Sequence, residues 1–222
     1  MKHIFLVFIL LLIIVFSSGQ SILEINYSKD ICKCLDSLKL KTTISEDKFP
    51  LCFQLSIKKN TTLFIQECFR IYGDTTEQTG YKFGKELAEK LSISLVSSCK
   101  AYFIIADSLR YSDYMNLNKD SLRNQIKTLE TVEITKRDKE YYDNRGLIYF
   151  QLAMYDKSLE DVEKVLSEDT ANVKNIFTKA WISEIKGNYQ DAFILYKKAA
   201  ELSNIPSFYI FSEIAKRKKT GL

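Results

Sequence analysis

The second half of the chain repeats itself at a spacing of 34 residues. At this spacing small residues fall opposite small residues, and bulky residues fall opposite bulky ones. Two antiparallel helices approach each other closely only where one side chain is small, and a large residue of the neighbour then fills the gap. The alternation therefore predicts stacked pairs of helices. The matched positions are Gly146 and Ala180, Ala153 and Gly187, Tyr155 and Tyr189, Ser158 and Ala192, Val162 and Tyr196, and Val165 and Ala199.

Both copies resemble the tetratricopeptide repeat, and the resemblance covers roughly residues 139–206. The first copy reads Tyr142-x-x-Arg145-Gly146-x-x-Tyr149, followed by Tyr155-x-x-Ser158. The second copy is the better match and reads Ile176-x-x-Lys179-Ala180, followed by Gly187-Asn188-Tyr189-x-x-Ala192-x-x-x-Tyr196-x-x-Ala199. It departs from the family at Ser183, where an aromatic residue is usual, and at Asn204, which replaces the closing proline.

The resemblance implies that residues 135–222 form a short α-solenoid of two helix pairs with a capping helix. The expected helices cover residues 139–152, 156–168, 173–186, 190–202 and 206–216. We expect the basic run that follows, Lys216 to Lys219, to be a solvated terminus. Two pairs leave an apolar side bare at each end. The first half of the chain is therefore expected to pack directly onto the array.

The resemblance also implies a binding surface, because the first helices of successive pairs in this family line a concave face that holds a peptide or a helix. The groove-facing residues would be Glu140, Asp143, Leu147, Phe150 and Gln151, then Lys174, Phe177, Trp181, Glu184 and Ile185. Aromatic anchors dominate binding energy when they enter a partner's pocket. The alternative is that the short array buries its concave side against the first half of the chain. The predicted partner-binding residues are Phe150, Lys174, Phe177, Trp181, Glu184 and Ile185.

The first half has the apolar rhythm of helices. From residue 81 to residue 109 apolar side chains recur every three or four positions, which predicts one long helix. Shorter helices are expected over residues 21–40 and 121–132, and another after Asp47 that Asn60 interrupts. The whole chain has only 7 Gly and 2 Pro, which argues against a many-turned β fold. The predicted fold class is all-α: a helical N-terminal region followed by the solenoid.

All five cysteines lie in the predicted helical region of residues 20–134: Cys32, Cys34, Cys52, Cys68 and Cys99. In an exported protein such clustering indicates disulfide bracing of one region. Four of them can form two disulfides and leave one thiol, and the spacing leaves the pairing open. Cys32 and Cys34 face nearly opposite sides of a helix, so we do not expect them to bond to each other. Cys34 lies on the apolar stripe and is the expected bridge member. A redox-active pair and a metal site are the alternatives.

The first 19 residues have the three-part layout of a signal peptide. Lys2 gives a positive start, residues 4–16 are all apolar, and small residues from Ser17 to Gly19 precede an expected cleavage before Gln20. Since a bilayer needs about 20 apolar residues in a helix, this run is short for a membrane span. An uncleaved anchor is the alternative. The predicted location is periplasmic or extracellular, with no membrane span after cleavage.

The composition excludes several classes of function. His3 is the only histidine, and the expected cleavage removes it, so catalysis through histidine and histidine-ligated metals are not expected. A formal net charge of +4 is too near balance to predict nucleic-acid binding. We therefore expect no enzyme activity, cofactor or metal, and predict an exported scaffold that binds a protein or peptide partner. Two alternatives are a small-ligand or lipid carrier in the N-terminal region and a carboxylate-based hydrolase.

Overall fold

The computed structural model describes residues 21–38, 47–115 and 117–221, and all regular secondary structure in these ranges is helical. The predicted all-α class is confirmed. The expected signal peptide at residues 1–19 lies outside the described residues. The helices of the first half are α1 (Ile22–Ser37), α2 (Lys48–Lys59), α3 (Thr61–Tyr72), α4 (Glu77–Ser98), α5 (Lys100–Met115) and α6 (Lys119–Glu130). After a 3₁₀ turn at Ile134–Lys136, the second half contains α7 (Lys139–Gln151), α8 (Tyr155–Glu168), α9 (Val173–Ile185), α10 (Tyr189–Ser203) and α11 (Pro206–Thr220).

The predicted long helix over residues 81–109 is wrong, because the chain breaks at Cys99 into α4 and α5. Cys99 has extended backbone angles, with φ −124° and ψ 114°. Its N–H still donates to the carbonyl of Leu95 at 2.9 Å, and the N–H of Phe103 donates to the carbonyl of Cys99 at 3.0 Å. The apolar rhythm continues across the break because both helices pack against the same core. Periodicity reports which residues are buried, and it does not report whether the helix is continuous.

Helix α1 lies at the centre of the first half, against α2, α4 and α5. Its buried side chains pack into one apolar core with those of α4. That core includes Tyr27, Ile31, Leu35, Leu87, Leu91, Leu95 and Val96. Burial of this apolar surface is the main favourable contribution to folding here.

Two disulfides fix α1 to its neighbours. Cys34 bonds to Cys52 of α2, and Cys32 bonds to Cys99 at the end of α4, with Cα–Cα distances of 5.7 and 5.6 Å. Cys68 is a buried free thiol. These pairs confirm that Cys34 is a bridge member and that Cys32 and Cys34 do not bond to each other.

The predicted helices of the second half agree with α7 to α10 within one or two residues. The N-caps also follow the 34-residue register: Asp138 accepts from the N–H of Tyr141 at 2.9 Å, and Asn172 accepts from the N–H of Asn175 at 3.1 Å. A capping side chain satisfies an N–H group that the first helical turn leaves unpaired. The first helix of both copies thus begins with the same N-cap interaction.

Gly146 lies at a close crossing of α7 and α8, as predicted. A Cβ atom at this position would lie 3.1 Å from Cβ of Asp161, and the Ser158 hydroxyl donates to the Gly146 carbonyl at 2.8 Å. The repeat-equivalent residues Ala180 and Ala192 are fully buried between α9 and α10.

The packing explanation is wrong for Gly187. Its φ is +80°, and a Cβ there would meet nothing within 4 Å. Its repeat partner Ala153 also has a positive φ, of 60°. These two positions form the left-handed turn between the helices of each pair, so small residues occur there for backbone reasons.

The basic run at the end of α11 is not a solvated terminus. Arg217 donates to the carbonyl oxygens of Val96 and Cys99, and its guanidinium lies 4.6 Å from the ring centroid of Phe103. It therefore supplies a donor to the Val96 carbonyl at the α4 terminus and a second donor to the Cys99 carbonyl, which also accepts from the N–H of Phe103. Helix α11 packs on α10 and on α4. The expected contact of the first half with the array is confirmed.

We expect Gly146→Ala to lower the free energy of unfolding by about 1 to 2 kcal/mol, because the new methyl group would push against Asp161. Asp161 has no room to move, since Arg145 holds both of its carboxylate oxygens at 2.7 Å. Gly80→Ala in the first turn of α4 is the control, because a Cβ there meets nothing within 4 Å. It should leave stability unchanged or raise it slightly. Urea unfolding followed by circular dichroism measures both, and equal effects would contradict the crossing.

Candidate functional site

Of the predicted aromatic anchors, Phe150 and Trp181 are buried core residues in the structure, and Phe177 is partly buried against the same core. Trp181 is 3% exposed, and Phe177 stacks on Phe208 of α11 at a centroid distance of 4.5 Å. Phe211 of α11 lies 5.0 Å from Phe177 and 5.7 Å from Trp181. Phe150 is buried beside Trp181 at 5.5 Å. Helix α11 thus packs over Phe177 and Trp181, and Phe150 is buried beside them, so the prediction that these rings receive a partner in an open groove is corrected.

Glu184 is also an internal residue, and it lies in a buried network of four charged side chains. Arg110 of α5 donates to both of its carboxylate oxygens, at 2.7 Å for Oε2. Lys218 of α11 donates to Oε1 at 3.0 Å, and the hydroxyl of Tyr196 donates to Oε2 at 3.0 Å. Asp107 pairs with both Arg110 and Lys218, the latter at 2.8 Å. The network joins α5, α9 and α11. Both carboxylate oxygens of Glu184 accept hydrogen bonds within it, so Glu184 is not available to a partner.

The electrostatics of the network favour the charged forms of Glu184 and Lys218. Burial alone would raise the pKa of Glu184, but the hydrogen bonds and charges of Arg110 and Lys218 outweigh it and place that pKa below its usual value. For Lys218, burial is likewise outweighed, chiefly by Asp107 and Glu184, and its pKa is raised. Two cations therefore balance two carboxylates. Such a set stabilises the fold only while it is complete, because removal of one member leaves a buried charge without its partner.

The remaining two predicted residues lie at the surface. The ammonium group of Lys174 donates to Oδ2 of Asp143 at 2.8 Å, and Asn175 donates to Oδ1 of the same carboxylate at 2.5 Å. This contact ties α9 to α7 between the two copies. Ile185 is 38% exposed at the end of α9. The structure does not bring Lys174 and Ile185 together with the buried aromatic residues in one open groove.

An open groove lies instead between α6 and α7, with a volume of about 470 Å³. Its floor is aliphatic, since Ile148 is buried in a small cluster with Leu122 and Ile126, and Leu129 packs against it. The lining residues are Gln125, Thr128, Leu129, Asn144, Leu147, Ile148 and Gln151. Leu147 and Gln151 were predicted to face a groove from the family register. The contribution of α6 to the groove was not predicted. Gln125 and Thr128 lie one helical turn apart on that helix, which indicates a polar face.

The lining of this groove suits an uncharged, extended ligand. All of its lining residues are uncharged, and four of them carry amide or hydroxyl groups: Gln125, Thr128, Asn144 and Gln151. An amide side chain offers both donors and an acceptor, which matches the alternating groups of a peptide backbone. The aliphatic floor can take an apolar side chain. The groove can therefore bind a short peptide segment through its backbone and one or two side chains.

Comparison with family models, curated proteins and solved structures finds no match to this chain. In the part of the chain that the structure describes, no helix is long and apolar enough to cross a bilayer. The same residues contain no group of three or more acidic or cysteine side chains arranged to hold a metal ion.

We expect Glu184→Gln to lower the free energy of unfolding by about 3 kcal/mol at neutral pH, because Arg110 and Lys218 would then share Asp107 as their one carboxylate in the network. Glu163→Gln removes an exposed ion pair with Lys179 at 3.1 Å and is the matched control, with an expected loss below about 0.5 kcal/mol.

The loss should depend on pH. Because the pKa of Glu184 is lowered in the folded state, its contribution is complete above the ordinary carboxyl pKa and disappears as the pH falls through the folded-state value. The stability difference between the wild type and Glu184→Gln should therefore shrink on acidification. A difference that stays constant from pH 7 to pH 3, measured by urea unfolding, would contradict the charge network.

Proposed function

We propose that this protein is an exported, non-enzymatic interaction protein that binds an extended peptide segment of a partner between α6 and α7. The observation that carries the proposal is the open groove itself, with its aliphatic floor and its uncharged amide rim. It lies on the first helix of the first copy, at positions where the tetratricopeptide register expects ligand contacts.

The helix pairs support the proposal that residues 135–222 are a tetratricopeptide-like array. The caps at Asp138 and Asn172 are 34 residues apart, as are the small residues Gly146 and Ala180. In such an array the first helix of each pair faces the ligand. Helix α9 is covered by α5 and α11, which leaves α7 as the first helix with an open face.

The size of the groove sets the scale of the interaction. From Asn144 to Gln151 the α7 face is about 10 Å long, at 1.5 Å per residue. An extended chain covers that length with about three residues. A contact of this size gives weak binding, in the micromolar range or above, unless other surfaces add to it.

The two alternative functions receive less support. A lipid carrier would need a large enclosed apolar space beside α4, whereas Leu91 and Leu95 belong to one buried cluster with Tyr27 and Ile31. A pocket beside α4 holds about 210 Å³ and is lined partly by Glu24, Glu86 and Lys90. A hydrolase acting through carboxylates needs an acid whose pKa is raised. The pKa of Glu184 is shifted the opposite way, and two cations neutralise it.

The export part of the proposal is supported by the two disulfides, since such bonds persist in oxidising compartments. Expression of the full chain with export should give a protein that starts at Gln20. Alkylation without reductant should label Cys68 alone after unfolding, and alkylation after reduction should label all five cysteines. Intact mass spectrometry measures both. A retained N-terminus or five free thiols in the purified protein would contradict export.

Peptide binding can be tested with a display library of random 12-residue peptides selected on the folded protein. We expect selected peptides to bind the wild type and to lose at least about tenfold in affinity for Leu147→Glu, which places a charge on the aliphatic floor. Ile194→Glu is the matched control, because Ile194 is an exposed isoleucine on α10, away from the groove. Titration calorimetry with one selected peptide measures both variants.

The peptide proposal fails if selection enriches no sequence, or if Leu147→Glu and Ile194→Glu weaken binding equally. Circular dichroism of both variants must match the wild type for the comparison to hold. Gln151→Ala, which removes a rim amide and leaves the floor intact, gives a second and milder test with an expected loss of a few fold.

A further inference from the structure

A second surface pocket, of about 290 Å³, lies between α1 and α2 and contains the Cys34–Cys52 disulfide in its wall. The two sulfur-bearing residues differ in access: Cys34 is partly exposed, whereas Cys52 is 1% exposed. Disulfide exchange depends on which sulfur an incoming thiolate can reach. At this bond Cys34 is the more exposed residue, so we expect an attacker from solvent to meet Cys34 and Cys52 to be the leaving group.

The pocket also contains a buried hydroxyl group without a partner. Ser56 is 2% exposed, lines the pocket, and its Oγ makes no hydrogen bond to any described residue. It lies one helical turn after Cys52 on α2, so both side chains project from the same face of that helix. A hydroxyl in this position is available to donate to a thiolate formed on Cys52.

Charge around the pocket favours an anionic attacker. Lys33 and Lys59 line it together with a single carboxylate, Asp30, which pairs with Lys59 at 2.5 Å. Cationic neighbours stabilise thiolates and lower the barrier to their departure. The pocket therefore combines an accessible sulfur, a spare donor and net positive charge.

The other disulfide also joins a partly exposed cysteine to a buried one, but the charge beside its exposed end is negative. Sγ of Cys32 lies 3.9 Å from Oδ2 of Asp36, a carboxylate that repels an approaching thiolate. Cys99 is fully buried at the junction of α4 and α5, where Arg217 holds its carbonyl at 3.2 Å. The two disulfides start from α1 residues only two positions apart. Their surroundings differ because the two cysteines face different sides of the helix.

We propose that the Cys34–Cys52 disulfide is a thiol-exchange site that takes an anionic thiol as its ligand, independently of peptide binding. The ligand thiolate attacks Sγ of Cys34, and a new S–S bond forms while the bond to Cys52 breaks. The electron pair of the broken bond stays on Cys52 as a thiolate, next to Ser56, and takes a proton from solvent. The product is a mixed disulfide on Cys34 and a thiol on Cys52, with no net oxidant required. The reverse attack by Cys52 releases the ligand.

The test uses the folded full-length protein and reduced glutathione as the probe. Samples taken over a range of glutathione concentrations are quenched with acid, alkylated with N-ethylmaleimide and mapped by peptide mass spectrometry. We expect glutathione on Cys34 and the alkyl label on Cys52 at concentrations that leave Cys32–Cys99 intact. Cysteamine, a cationic thiol, should react more slowly at equal thiolate concentration, and the substitution Lys33→Gln should reduce that difference.

The variant Ser56→Ala should form the mixed disulfide about fivefold more slowly, the effect of one lost hydrogen bond to the leaving group. Ser37→Ala is the matched control: Ser37 lines the same pocket, but its hydroxyl already donates to the carbonyl of Cys34 at 2.7 Å. Its rate should stay within twofold of the wild type.

The proposal is overturned if both disulfides open at the same glutathione concentration, if the adduct forms on Cys52 or Cys32, or if Ser56→Ala reacts at the wild-type rate. The position of the adduct in the wild type needs no variant, so it decides the question even if Ser56→Ala folds poorly.

Discussion

The ion pair between Arg110 and Glu184 is the contact on which the arrangement of the two halves depends. Arg110 comes from the disulfide-braced half and Glu184 from the array, 74 residues further along the chain. Lys218 and Asp107 complete a buried set with two charges of each sign. Buried charges of this kind are tolerated only when each meets its partner in good geometry. The array is consequently held in one position against the first half.

This docking decides which surface remains open for a partner. Helix α11 packs over the aromatic residues of α9, which contribute to the core of the second half. The open part of the array is its N-terminal end, where α6 and α7 form an uncharged groove. If the groove receives a peptide, as proposed, its small size favours a weak and reversible interaction.

The disulfides show how one helix gives two cysteines different chemistry. Cys32 and Cys34 are two residues apart on α1, and a helix turns side chains at this spacing to nearly opposite sides. Cys32 lies beside Asp36 and bonds to Cys99 at a buried helix junction. Cys34 bonds to Cys52 in the wall of a pocket that Lys33 and Lys59 also line. The first bond braces the core. The second borders a pocket, and the proposed thiol exchange would give the braced region a role beyond stability.

The sequence by itself determined the all-helical class, the helix bounds of the repeat and the small residues at the Gly146 crossing, because these follow from local periodicity, capping and side-chain size. It also determined that Cys32 and Cys34 do not pair. Only the tertiary structure decided the break at Cys99, the burial of Trp181 and Glu184, and the groove between α6 and α7. A periodic pattern states which side of a helix is apolar, but it does not name the helix that covers that side. The pairing of Glu184 with Arg110 was not predictable for the same reason, since a contact between residues distant in sequence depends on how the helices pack.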